Sequence, residues 1–380
     1  MATVPLLDLK AQYAPLREEI AAAVGRVIES QRFILGPEVE ALEQDVARYT
    51  AVRHAVGCAS GTDALILALA VLDVGPGHEV VTTPFSFFST ASCAHKVGAR
   101  PRFADIEART FNIDPERLDA AIGPRTRALL PVHLFGQSAE MDAVLEIGER
   151  RGLPVIEDAA QALGATYESA RAGAMLHCGA MGRIGCYSFF PSKNLGGFGD
   201  GGMLVTSDDG IAERLRELRV HGGRQMYHHR EVGWNSRLDA LQAAVLRVKL
   251  PHLDHWSAGR AENAARYDRL LAESGLLEAD RVRLPAREAR ARHIFNQYTL
   301  RVERRDELKH HLDAAGIGNS VYYPVPLHLQ ECFRELGHRE GDFPQAERAC
   351  REVLALPVYA ELEPAQQEQV VGEIVAFYRS

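Results

Sequence analysis

Apolar residues near the start of the chain recur at the three-and-four spacing of a helix. Leu16, Ile20, Ala23, Val24, Val27 and Ile28 share one face, and this predicts a helix over 13–30. A second helix is expected over 39–49. Beyond it the pattern changes, and short apolar runs alternate with amphipathic ones. Strands are expected at 55–59, 80–82, 101–104, 128–132 and 154–157, and helices at 63–74, 89–97, 115–122 and 139–150. Such alternation builds a mostly parallel sheet with helices on both faces. The runs 184–190 and 203–206 read as a hairpin-like pair, so the sheet is expected to be mixed. Helices near 239–248 and 256–274 lead into a different pattern. It comprises a strand over 293–302, a helix over 305–315, a strand over 320–323, and helices starting at Phe343 and Pro364. The chain therefore divides into a large domain, 1–250, and a smaller C-terminal α+β domain, 251–380. Residues 281–292 form a polar, arginine-rich loop, and there is no internal repeat.

Composition narrows the function classes. A formal net charge of −8 argues against nucleic acid or an anionic membrane as the main partner. The longest apolar run, 64–72, is too short to span a bilayer. The N-terminus lacks the basic and then apolar segments of a secretory signal. Six cysteines, at 58, 93, 178, 186, 332 and 350, form no C-x-x-C pair. Free thiols in a reducing cytosol are expected, with no structural zinc and no metal site.

Four stretches carry candidate chemistry. In Ser188–Gly202 a single lysine, Lys193, follows a strand-like run and a proline and precedes a glycine-rich turn. A rigidly held lysine amine can form a Schiff base if its surroundings lower its pKa. An ordinary surface turn is the alternative. Ser60-Gly61-Thr62-Asp63 follows a strand and opens a helix, where backbone amides, a glycine and a hydroxyl can hold an anion. It also fits a plain helix cap. Asp158 ends a buried-looking strand and points to the crevice where open α/β sheets bind ligands, or else caps a helix. Glu157 beside it should face the other way. Phe85, Phe87 and Phe88 lie just past another strand, fit for the core or for stacking on a planar group. His133 follows a strand and either lines the pocket or is structural. His228 and His229 suggest a metal, but a surface loop fits them better.

Pyridoxal phosphate needs an anion cradle, a carboxylate at its ring nitrogen, a stacking ring and a lysine at its aldehyde. Together with Gly233–Asp239 and Tyr323–His328, these motifs resemble the DegT/DnrJ/EryC1/StrS sugar aminotransferases over essentially the whole chain. The resemblance implies the fold-type I architecture of pyridoxal-phosphate enzymes. Its large domain carries a seven-stranded, mostly parallel mixed sheet between helices. Lys193 would carry the Schiff base and shuttle the proton, and Asp158 would keep the ring nitrogen protonated. Phe87 would stack on the ring, and Gln161 would lie near the ring hydroxyl. Gly61, Thr62 and Ser188 would hold the phosphate. Asn235 would reach the phosphate of a neighbouring subunit and Arg237 its substrate, which implies a homodimer with shared sites. Tyr323 and His328 would contact a nucleotide sugar. The implied activity converts a nucleotide-linked keto sugar to an amino sugar, with L-glutamate as donor and 2-oxoglutarate as co-product. The cofactor would pass through its pyridoxamine phosphate form. Tyr322-Tyr323 stands where several relatives acting on UDP-linked 3-keto hexuronates carry His-Tyr, so the sugar and its carrier stay open. A dehydratase of the same fold is the first rival, and those relatives carry a histidine in place of the lysine. A non-catalytic regulatory protein is the second.

Overall fold

The computed structural model describes residues 3–225 and 227–380. In its first half, strands β1 (His54–Cys58), β2 (Glu79–Thr82), β3 (Arg100–Phe103), β4 (Thr126–Leu130) and β5 (Ile156–Asp158) alternate with helices. A hairpin of β6 (Thr166–Ser169) and β7 (Ala174–His177) follows, then β8 (Ile184–Ser188) and β9 (Gly202–Thr206). Four of these strands bond in the order β1-β9-β8-β5 and three in the order β3-β2-β4. Parallel bridges Leu129–Val155 and Val132–Asp158 join the two groups into seven strands. All run the same way except β9, which is antiparallel to both β1 and β8. The expected mixed, mostly parallel seven-stranded sheet is present.

The helices before the second unit are α1 (Leu9–Tyr13), α2 (Arg17–Ser30), α3 (Pro37–Tyr49), α4 (Gly61–Val71), α5 (Ser89–Lys96), α6 (Pro115–Ala121), α7 (Met141–Arg151), α8 (Asp209–Leu218) and α9 (Ala240–Lys249). Helix α4 is apolar nearly all round because it is enclosed. Leu65, Leu67 and Leu69 pack with Val56 and Ile184 of the sheet and with Leu215 of α8. Its N-terminus is set by Ser60, whose hydroxyl accepts from the Asp63 amide at 3.1 Å.

The remainder contains α10 (Leu253–Glu273), α11 (Arg305–Ala314), α12 (Pro344–Glu352) and α13 (Pro364–Arg379). They pack around β10 (Val282–Arg283), β12 (Tyr298–Val302) and β13 (Val353–Leu356), while β11 (Ala291–Arg292) joins the β6–β7 hairpin. Their core gathers Tyr267, Tyr298, Leu312, Leu354 and Ile374, together with Val4 from the start of the chain. Val4 is held there by the Gly316 carbonyl and the Gly318 amide. Among the described residues no helix is long and apolar enough to cross a membrane.

The structure corrects two expected strands. Over 293–302 only Tyr298–Val302 is strand. Residues 293–297 leave the sheet because Arg260 takes the carbonyls of Phe295 and Asn296, at 3.1 and 3.4 Å. Over 320–323 only Ser320 pairs, with Ala355. Pro324 and Pro326 follow, and neither has an amide to donate to a ladder. The β6–β7 hairpin and β13 have no counterpart in the sequence reading.

Candidate active site

Strands β1, β5 and β8 end at one edge of the sheet, and β9 starts there, because it runs the opposite way. This edge brings together Ser60–Thr62, Asp158, Ser188 and the turn carrying Lys193. The approach is close. A Cβ on Gly61 would lie 2.6 Å from Ser188 Cβ, and one on Gly202 only 2.3 Å from the Ser60 carbonyl oxygen. Only glycine lets the first turn of α4 sit against the end of β8. The Gly61 and Thr62 amides at the start of that turn have no intrahelical acceptor, and the positive end of the helix dipole lies behind them. The Thr62 hydroxyl is beside them, 2.6 Å from the Ser89 hydroxyl at the start of α5.

Lys193 is half-buried, and burial pushes its amine down to about 8, against the opposing pull of Asp158. A fraction of the amine is therefore neutral, and so nucleophilic, near neutral pH. Asp158 is buried, and burial raises its carboxyl above the usual range. Donors oppose this: the Thr90 hydroxyl at 2.7 Å, the Ala160 amide at 3.2 Å, and the charge of Lys193. Thr90 is itself 2.8 Å from the Ser86 hydroxyl. This hydroxyl pair under the carboxylate was missed from sequence. The signal was Ser86 and Thr90 at helical spacing inside a stretch noticed only for its rings.

Glu157 faces away from Asp158, as strand alternation requires. It accepts from the amides of Gly179, Met181 and Gly182, at 2.7, 2.7 and 2.5 Å. Its fourth partner is His133 Nε2 at 2.7 Å, and both side chains are completely buried. The Ala139 amide donates to His133 Nδ1 at 3.1 Å, so Nε2 carries the hydrogen given to Glu157. His133 is structural.

Gln161 accepts the Phe135 amide at 2.7 Å and donates to the Tyr323 hydroxyl at 2.9 Å, bringing Tyr323 to the same edge. Phe87 is 56% exposed, its ring 6.4 Å from that of Tyr323. Phe85 is fully buried, and Phe88 stacks on Phe333. Asn235 is exposed and Arg237 half-buried, and among the described residues neither side chain has a partner. Ser236 between them is anchored: its hydroxyl donates to Asp63 at 2.6 Å and accepts the Ala59 amide at 3.2 Å. The segment is thus rooted at the start of α4 with two polar side chains projecting. His229 Nδ1 is 3.0 Å from the His221 carbonyl oxygen.

His328 is not brought to the edge. Its ring is completely buried against Phe343 and Phe103, with Nε2 3.2 Å from Glu347. The contact with substrate expected of it has no support in this geometry, because the ring is buried among these neighbours.

Residues 15–375 match the DegT/DnrJ/EryC1/StrS aminotransferase family. The chain belongs to that family. It is 49% identical over 376 residues to a "Pleiotropic regulatory protein" of Geobacillus stearothermophilus, covering 99% of both chains. It is 46% identical to the dTDP-3-amino-3,4,6-trideoxy-alpha-D-glucose transaminase of Streptomyces venezuelae, over 98% of this chain and 95% of the relative. Among solved structures, S. venezuelae DesV in complex with a ketimine intermediate superposes with a TM-score of 0.94. It is 45% identical, with all of both chains covered. The fold is that of the fold-type I aminotransferases.

The residues at this edge fit the cofactor that the DegT/DnrJ/EryC1/StrS family implies. The cradle that a Cβ on Gly61 would fill, the lysine with a lowered pKa and the buried carboxylate meet three of the four demands of pyridoxal phosphate.

Proposed function

We propose that this chain is a pyridoxal-phosphate-dependent aminotransferase that converts a keto sugar on a nucleoside diphosphate into an amino sugar, with L-glutamate as donor. The observation that carries this is the meeting of Lys193, its pKa lowered to about 8, with Asp158 beside the open first turn of α4. The sugar specificity is supported by the name of the 46%-identical relative.

Bound there, pyridoxal phosphate would supply an electron sink for negative charge at the carbon that gains or loses the amine. Lys193 Nζ would hold the group through its aldehyde and would take and return the proton moved during transfer. Asp158, kept anionic by Thr90 and the Ala160 amide, keeps a proton on the ring nitrogen. The first amides of α4, with Gly61, Thr62 and Ser188, hold the phosphate. Phe87 would stack on the ring, and Gln161 would lie near the ring hydroxyl. Asn235 reaches the phosphate of a second subunit and Arg237 the substrate bound there, so the working unit is a homodimer. Tyr323 contacts the sugar. The division near residue 250 separates the cofactor-binding domain from the smaller one.

The test is two-stage. Purified protein loaded with pyridoxal phosphate should convert L-glutamate to 2-oxoglutarate, and then aminate one of a panel of UDP-, dTDP- or GDP-linked keto sugars. The 49%-identical relative named as a regulatory protein supplies the second reading. A protein that binds the cofactor but releases no 2-oxoglutarate and aminates no sugar would establish that reading instead.

A further inference from the structure

The turn carrying Lys193 spans 189–201, between β8 and β9, and has no regular structure of its own. Inside it, Lys193 N–H donates to the Phe190 carbonyl at 2.9 Å and Gly197 N–H to the Phe189 carbonyl at 2.8 Å. Three anchors come from outside. Asn194 Nδ2 donates to the Ile294 carbonyl at 3.2 Å, Phe198 N–H to Gln242 Oε1 at 2.7 Å, and Lys249 Nζ to the Gly196 carbonyl at 2.5 Å. Gln242 and Lys249 lie two turns apart on α9, so one face of that helix grips the turn.

Lys249 is an unusual choice for that place. It is 4% exposed, and among the described residues its ammonium has no ion pair. The Trp256 ring lies 5.8 Å from its nitrogen. An apolar side chain would pack there without the cost of desolvating a charge. Its hydrogen-bond acceptor is a carbonyl three residues beyond Lys193. The turn is also too tight to absorb a shift at that point, since a Cβ on Gly196 would lie 2.2 Å from the Pro191 carbonyl oxygen.

We propose that Lys249 is a positioning residue for the transamination. By holding the Gly196 carbonyl it fixes the turn that aims the Lys193 amine, and it touches neither substrate nor cofactor itself. This rests on Lys193 being the reactive lysine.

The experiment compares wild type, Lys249→Met and Lys249→Arg, each loaded with pyridoxal phosphate. Borohydride reduction and peptide mass spectrometry locate the cofactor. A label on any lysine other than Lys193 in the wild type overturns the reading of the site, and this inference with it. With the label on Lys193, Lys249→Met should bind the cofactor within about threefold of wild type. Its rate with saturating L-glutamate should fall on the order of tenfold or more, with KM nearly unchanged. The pH midpoint of its visible absorption band should shift, and Lys249→Arg should recover most of the rate. A Lys249→Met enzyme with wild-type rate and band overturns the proposal, as does a loss that arginine does not restore. If Lys249→Met does not fold, Lys249→Gln serves, and a wild-type rate in that variant overturns the proposal equally.

Discussion

At the scale of single residues, the site depends on two groups whose pKa burial displaces from the ordinary range. Burial lowers the Lys193 amine from 10.5 to about 8. Below pH 8 both the folded and the unfolded cofactor-free chain carry this proton, and the folded one bears the full cost of the buried charge. Between about 8 and 10.5 only the unfolded chain keeps it, so this group makes stability rise with pH in that window. Cofactor-free Lys193→Met should lose this rise, which urea unfolding at pH 7.5 and 10 would show; equal pH responses in the two proteins would contradict the lowered pKa. Asp158 is the counterpart, a carboxyl that burial raises and donors restrain. Asp158→Asn should still bind some cofactor but cost several kcal/mol in the barrier, on the order of a thousandfold in kcat. Thr90→Val removes one donor and keeps the shape. The acid limb of its kcat–pH profile should move to higher pH, with a loss of about tenfold at pH 7. An unmoved acid limb would mean that the Thr90 hydroxyl does not govern the carboxylate.

At the scale of elements, the decisive contact is the first turn of α4 against the end of β8. Gly61→Ala puts a methyl 2.6 Å from Ser188 Cβ and forces the two apart. We expect a stability loss of about 1–3 kcal/mol and a larger effect on the anion site, with pyridoxal phosphate held about tenfold more weakly. Urea midpoints and fluorescence titration measure the two, and retained affinity with lost stability would remove the phosphate from this turn. The elements that build this edge were legible from sequence because each carries its own signal. Ser60 caps a helix, Asp158 closes an apolar run, and Lys193 precedes a run of glycines. Segments whose shape is imposed by distant groups were not legible. Residues 293–297 read as strand, but Arg260 claims their carbonyls from another helix. Tyr323 read as strand, but its hydroxyl is drawn out to Gln161. His328 carried a motif but no sign of the Phe103 and Phe343 rings that enclose it. The Thr90–Asp158 bond joins residues 68 positions apart, and no local pattern announces it.

At the scale of the whole molecule, Asn235 and Arg237 project from an anchored segment, and among the described residues their side chains have no partners, as the proposed homodimer requires. Two inactive variants test the sharing. Lys193→Ala keeps Arg237, and Arg237→Ala keeps Lys193. If Arg237 serves the neighbouring subunit, each mixed dimer has one complete site and should regain about half the activity of a wild-type dimer. Subunits that exchange with no recovery would place Arg237 in its own subunit's site. The reversed strand β9 carries a consequence for how the molecule is made. His54 at the start of β1 finds its sheet partner in Thr206. At ribosomal speeds of about 5–20 residues per second, β1 waits roughly 8–30 s for that partner to be synthesised. Helices α4 and α5 emerge in the meantime with no sheet complete beneath them. The apolar face of the nascent chain is therefore exposed longest before residue 206 appears, and that interval is when chaperones would be expected to bind it.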